Sequence, residues 1–444
     1  MVKREREPPL DENDNDVDDF LLSEESDSEE EYVSKTERKR LERAENAIGL
    51  SHSHDPRLEV NESVTLSEDE GSSADETESK LIQEALESKG ANFFRIADDV
   101  HEYHSRGFIS QRVRCSRLSP TCMALSSDER VAVVGSKDQS VNVFDVEKNK
   151  RVHSFLGIRS GDSPDVSKGH HGHVLCCCIG EDGRLAFSGG ADKYIKVWDL
   201  RSKRHLVTSM KGHRNAVTGV VYAPNSSDLY SCSADRSVKV WSLSNFLYVD
   251  TLFGHEASVA GISSVASGLA LTGGSDRTLR LWKVNEDSQL IFRGHNASID
   301  CVTFVTSSHF ISGSEDGSLA LWSRLKRKPV LYIHDAHDEN RRKRDVHPNP
   351  ISSSPLWVSS VASIVRSDLV ASGSADGRIM LWKCTENLLE FVNYIDAPGY
   401  VNGLQFGSSK RVLASVQGQE HRLGRWHRLT GAKNVFTITR LPYE

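Results

Sequence analysis

Apolar and polar positions alternate with a period of two along most of the chain, as in Val238-Lys239-Val240-Trp241 and Leu279-Arg280-Leu281-Trp282. Alternation over four to eight residues predicts strands with one face in a core. Clusters of Gly, Asp, Asn and Ser between these runs predict turns. Helical spacing is confined to the N-terminal side. Leu81, Ile82, Ala85 and Leu86 form one stripe, and Phe93, Phe94, Ala97, Val100 and Tyr103 another, with Gly90 as a break. That segment is expected to dock on the body or on a partner. Further upstream, Ser34 and Glu37 form a capping box at the head of a stretch rich in helix formers.

The strand runs belong to a repeat. GHRNAVTGVVYAPNSSDLYSCSADRSVKVWSL (212–243) returns at 254–284 and again at 294–324, with an earlier copy at 171–200 and a later one at 359–384. Aspartates at 138, 192, 235, 276, 316 and 376 are each followed six residues on by an aromatic, namely Phe144, Trp198, Trp241, Trp282, Trp322 and Trp382. A seventh copy keeps the offset with Glu420 and Trp426. Four residues before the aspartate stand Ser188, Ser231, Thr272, Ser312 and Ser372. A Gly-His pair, with His173, His213, His255 or His295, lies about twenty residues upstream of it in four copies. Aspartate can bond the histidine, histidine the hydroxyl, and the hydroxyl the indole N–H, so that each buried polar group finds a partner. This is the WD-repeat pattern. It predicts an all-β fold, a seven-bladed propeller of four-stranded blades over residues 108–444. Blades one and seven depart from it, with Val134 and Val416 in place of the hydroxyl residue and no Gly-His. Residues 108–115 or 434–440 should supply the last outer strand.

A histidine–aspartate–serine set that recurs in blade after blade is structural, so no catalytic residue is assigned. His170, His171, His173 and Cys176-Cys177-Cys178 lack the ligand spacing of a zinc site. No glycine-rich loop joins a strand to a helix as a phosphate site requires. No metal and no cofactor is therefore expected.

Charge divides the chain. Residues 1–90 hold 28 acids and 11 bases, whereas residues 91–444 hold 35 acids and 44 bases. Residues 1–77 read as a disordered acidic arm, since a segment so poor in apolar residues cannot offset its ordering entropy. Residues 78–107 read as a helical extension. Ser23, Ser26 and Ser28 lie among acids and are candidate phosphorylation sites. The cluster Lys35, Arg38, Lys39 and Arg40 could serve import into the nucleus or simply solvate a helix face. No apolar run approaches the roughly 18–20 residues that span a bilayer, and the eight cysteines lack paired spacings, so an intracellular protein with reduced thiols is expected.

The repeat period stretches where candidate function sits. The insertions 157–172 and 334–355 precede the first strands of blades two and six, and the loop 417–424 follows the second strand of blade seven. Loops of these two kinds emerge on one face of a propeller. They bring together Arg159, Lys168, His170, Arg341, Arg342, Lys343, Arg344, His421 and Arg422, with Arg425, His427 and Arg428 on the adjoining strand. Arginine forks and histidines suit the phosphates and base edges of folded RNA. Lys326-Arg327-Lys328 falls on the opposite face, as a solvated turn.

The stretch Gln419-Glu420-His421-Arg422-Leu423-Gly424-Arg425-Trp426, the acidic arm and the long loops together resemble the WD-repeat protein family of the U3 small nucleolar ribonucleoprotein. Position 427 is His where the family usually has a second tryptophan, so a contact relying on that indole would be weaker here. The resemblance implies a non-enzymatic nucleolar protein. It would bind the box B/C kink-turn of U3 small nucleolar RNA together with a kink-turn-binding protein. It would then act among small-subunit processome factors in pre-rRNA processing toward small-subunit rRNA, with no DNA or membrane partner. The rival expectation is a protein-only adaptor, such as a ubiquitin-ligase substrate receptor.

Overall fold

A computed structural model describes residues 94–102, 108–157, 169–202, 206–337 and 357–441. The acidic arm and Ser23, Ser26 and Ser28 lie outside the described residues. Seven four-stranded antiparallel sheets are arranged in a ring, each innermost strand flanked by those of the two neighbouring blades. In blade three the strands are Val217–Tyr222, Asp228–Ser233, Ser237–Ser242 and Leu247–Phe253. Burial falls from axis to rim: the innermost strand of blade one, Pro120–Leu125, is buried throughout, while its outermost strand, Lys150–Phe155, is exposed except at Phe155. Among the described residues no helix is long and apolar enough to cross a membrane.

Both ends of the propeller sequence contribute to its closure. The third strand of blade seven is Val435–Arg440, and its outer strand is Ile109–Arg114, paired antiparallel from Ile109 opposite Arg440 to Arg114 opposite Val435. Trp426 is therefore not on a third strand; it lies in the loop 419–434.

The polar relay runs through five blades. In blade three the Trp241 indole N–H donates to Ser231 Oγ at 2.7 Å, Ser231 bonds His213 Nε2 at 2.8 Å, and His213 Nδ1 bonds Asp235 Oδ2 at 3.0 Å. An indole can only donate and an ionised carboxylate can only accept, so a neutral histidine in the relay carries its proton on Nδ1 and accepts the hydroxyl proton on Nε2. Burial opposes the Asp235 charge, but bonds from His213, Ser237 and the Arg214 amide outweigh it and hold the carboxyl well below its usual range. Blade four repeats the relay with Trp282, Thr272, His255 and Asp276.

Three blades correct the reading from sequence. In blade two the relay histidine is His170, bonded to Ser188 at 2.7 Å and Asp192 at 2.8 Å, whereas His173 Nδ1 bonds the Lys137 carbonyl. In blade six His337 takes the role, bonding Ser372 at 2.9 Å and Asp376 at 3.0 Å, although it precedes that aspartate by 39 residues. In blade five His295 bonds Ser312 but turns Nδ1 to Ser318 Oγ, and Asp316 is reached only through that hydroxyl.

Each tryptophan of the relay is also a wedge between blades. Trp282 packs with Tyr230, Val240 and Leu252 of blade three, and Trp198 stacks on Phe155 of blade one with ring centroids 4.8 Å apart. All eight cysteines are unpaired and seven are buried; burial pushes the Cys115 thiol up to about 11.

The one α-helix among the described residues, Ala97–Glu102, is seated on blade six. Asp368 Oδ1 accepts the Ile96 and Ala97 amides at 2.7 and 3.1 Å, as an N-terminal cap does. Ile96, Ala97 and Val100 share a core cluster with Leu369, Ile379 and Leu381.

Because Trp282 fills an interblade wedge and is 4% exposed, Trp282→Ala is expected to destabilise the propeller by about 3–5 kcal/mol. Urea unfolding followed by circular dichroism checks this. A change below about 1 kcal/mol would contradict the wedge role.

Candidate RNA interface

Loop 419–434 of blade seven joins the second and third strands and so lies on the face that carries the relay histidines. Its entrance is held by Ser119 and Asn402, which both donate to the Glu420 carbonyl, at 3.0 and 2.9 Å. Lys137, from the equivalent turn of blade one, has a side chain only 3% exposed. Its ammonium donates to Glu420 Oε2 at 3.1 Å and to the Gly424 carbonyl at 2.8 Å. Burial pulls the Lys137 pKa down, with Glu420 opposing.

Arg422 reaches across the ring axis. Its guanidinium donates to the Asp300 carbonyl at 2.5 Å and the Ala260 carbonyl at 3.1 Å, at the heads of the innermost strands of blades five and four. A loop rooted in blade seven is thus bolted to the opposite wall. The neighbouring Asp300 carboxyl is buried, which pushes its pKa up against the Arg422 charge.

His421 turns inward beneath the loop. Its ring meets Trp357 edge-on at 5.0 Å and lies 6.1 Å from Tyr400 and 5.8 Å from Trp426. Burial, together with the Arg422 and Lys137 charges, lowers its pKa to about 3. Outside this packed layer, Arg425, Trp426, His427 and Arg428 are exposed. Arg425 Nε lies 3.2 Å from Glu420 Oε2, and Arg428 donates to Gln419 Oε1 at 2.8 Å, so both guanidiniums are oriented while facing solvent.

Of the candidates from sequence, the structure brings Arg425, His427 and Arg428 together on the outer surface, in the loop and not on a strand. His421 and Arg422 belong to the loop's internal scaffold, and His170 is buried in the relay of blade two. Arg159, Lys168, Arg341, Arg342, Lys343 and Arg344 lie outside the described residues. Reading the sequence missed Lys137 and Trp357. The signal for Trp357 was present, since six of the chain's seven tryptophans and repeat positions match through the offset and Trp357 alone does not.

Comparison with known proteins agrees with this architecture. Residues 103–284 match the Nucleolar protein 10-like N-terminal domain family, and residues 286–323 and 347–383 match the WD domain, G-beta repeat. The chain is 34% identical over 414 residues to the human U3 small nucleolar RNA-interacting protein 2, covering 83% of this chain and 76% of that protein. It is 31% identical to the U3 snoRNP-associated protein-like EMB2271 of Arabidopsis thaliana, over 81% of this chain and 76% of that protein. The chain belongs to the U3 snoRNP-associated WD-repeat family. A solved structure described as that of U3-55K is similar, with a TM-score of 0.68 and 38% identity over 75% of this chain and 98% of that one. The crystal structure of the RRP9 WD40 repeats aligns with a TM-score of 0.67 and 37% identity, over 75% of this chain and 97% of that one. In this family member the motif around Arg422 splits by position into an inward half that fixes the loop and an outward half that meets solvent.

Two outcomes are expected. Arg422→Met should speed amide hydrogen exchange across 419–434 while leaving blades two and three, which Arg422 does not hydrogen-bond, unchanged; equal exchange in both proteins would contradict the bolt. His421, and His295 with a pKa lowered to about 4 by burial, remain neutral in the fold where the unfolded chain takes up protons, below about pH 6.5. Their contribution is full above that value and is lost as pH falls toward the folded pKa values. The urea midpoint should therefore drop between about pH 7 and pH 5, and His421→Phe should flatten the drop.

Proposed function

We propose that this chain is a component of the U3 small nucleolar ribonucleoprotein and acts in ribosomal RNA processing in the nucleolus. In this reading it binds the box B/C kink-turn of U3 RNA jointly with a kink-turn-binding protein. Within the small-subunit processome, the particle then serves maturation toward small-subunit rRNA. The observation that carries the reading is the bolted loop 419–434, which presents Arg425, His427 and Arg428 outward in a chain 34% identical to a U3 small nucleolar RNA-interacting protein.

The mechanism is one of presentation. Guanidiniums already oriented by Glu420 and Gln419 lose little freedom on meeting phosphate, and an arginine fork matches phosphate oxygens in pairs. Lys137 neutralises Glu420 from below, which leaves the outer surface positive. A rigid propeller with one such loop has modest affinity for bare RNA and gains it on a composite surface of RNA and protein. The yeast relative named Ribosomal RNA-processing protein 9, 26% identical over 373 residues, supports the assignment to rRNA processing.

The test is a binding titration with a particle reconstituted from U3 RNA and its kink-turn-binding protein. Arg425→Glu with Arg428→Glu should weaken binding and lower the slope of log affinity against log salt by about 1 per arginine. Unchanged affinity and slope in the folded double variant would exclude the loop. Native purification that yields a stoichiometric protein and no RNA would favour a protein-only adaptor.

A further inference from the structure

We propose that Trp426 is a stacking platform for one unpaired nucleobase, an assignment that rests on the RNA-binding reading above. The tryptophans of the repeat wedges are 0–4% exposed, whereas Trp426 is 66% exposed. Single exposed apolar side chains are ordinary, but the position of this indole is built by its neighbours. Trp357 packs against it with ring centroids 5.2 Å apart, and His421 supports it at 5.8 Å. Gly424 lies directly against the ring: a Cβ at that position would come within 2.7 Å of the indole carbons, so only glycine lets the ring lie there.

The surroundings define the ligand class. Arg425, His427 and Arg428 border the indole, and the nearby acid, Glu420, is engaged by Lys137 and Arg425. An open aromatic face next to cations fits a base on its phosphate backbone; an apolar side chain of a protein would gain nothing from that border. Trp357 meets Trp426 at 62°, so the pair offers one stacking face and not a parallel slot for two bases. Stacking reads the π-face and not the base edges, so the site tolerates any base but not the absence of one.

The experiment uses the full chain and the particle of U3 RNA with its kink-turn-binding protein. Trp426→Leu keeps the apolar bulk and removes the π-face; it should lose roughly 5- to 150-fold in affinity with no change in salt slope. Trp426→Phe should retain most of the affinity. In RNAs carrying single abasic sites, one position should reproduce the loss with wild-type protein and add nothing further to Trp426→Leu. Wild-type affinity in the Leu variant, or a full additional loss at every abasic position, would overturn the platform while leaving the RNA reading intact. Failure of the wild-type chain to bind the particle would overturn both.

Discussion

A buried indole N–H has to be bonded, and in this molecule that requirement organises five of the seven blades. The hydroxyl that receives it needs an acceptor for its own proton, the histidine that accepts needs a carboxylate, and the carboxylate needs a turn to hold it. Satisfying the chain of demands ties a loop before the first strand, the second strand, a turn and the third strand into one unit. Blade five shows that the demand and not the residue list is what matters. Its His295 reaches Asp316 through Ser318 and still leaves Trp322 bonded to Ser312. With the loops fixed at their bases in this way, one face of the ring becomes a stable mount for whatever the longer loops carry.

The propeller was legible because its signal is redundant. Six acid-to-aromatic offsets outvote any one irregular copy. The errors fell where a copy had to be judged singly. His170 and His173 both follow a glycine, but His173 stands 19 residues before Asp192, while His170 stands 22 before it, as His213 stands 22 before Asp235. Spacing along the loop, which sets where the ring can swing, was the better guide than the adjacent glycine. His337 was hidden because the insertion follows it instead of preceding it. Trp426 matched the offset without a hydroxyl partner, and an indole with no acceptor has no reason to be inside. What no pattern could give is the division between Arg422 and Arg425. The two have the same charge three residues apart, and only the path of the loop across the axis turns one inward and leaves the other in water.

That path also explains how an exposed site can be rigid. A surface loop of this length ordinarily trades definition for freedom. Here two cations are withdrawn from solvent to prevent it: Lys137 from blade one and Arg422 toward blades four and five. Desolvating a cation is unfavourable on its own, and such groups confer geometry more reliably than stability. Three regions of the ring therefore converge on a single loop, and the cations that remain outside inherit a fixed orientation.

The closing sheet of the ring has a consequence in time. Ser110 and Thr439 share a hydrogen bond across 329 residues of sequence. On the ribosome, blades one to six can assemble in order as they emerge, but the first strand must wait unpaired for its partner. Contacts of such long range form late, since the intervening chain has to be ordered or looped before they are gained. The loop that carries Trp426 is translated immediately before that partner strand. The surface and the seal are thus made in the same few seconds, and a nascent chain stalled short of them has neither.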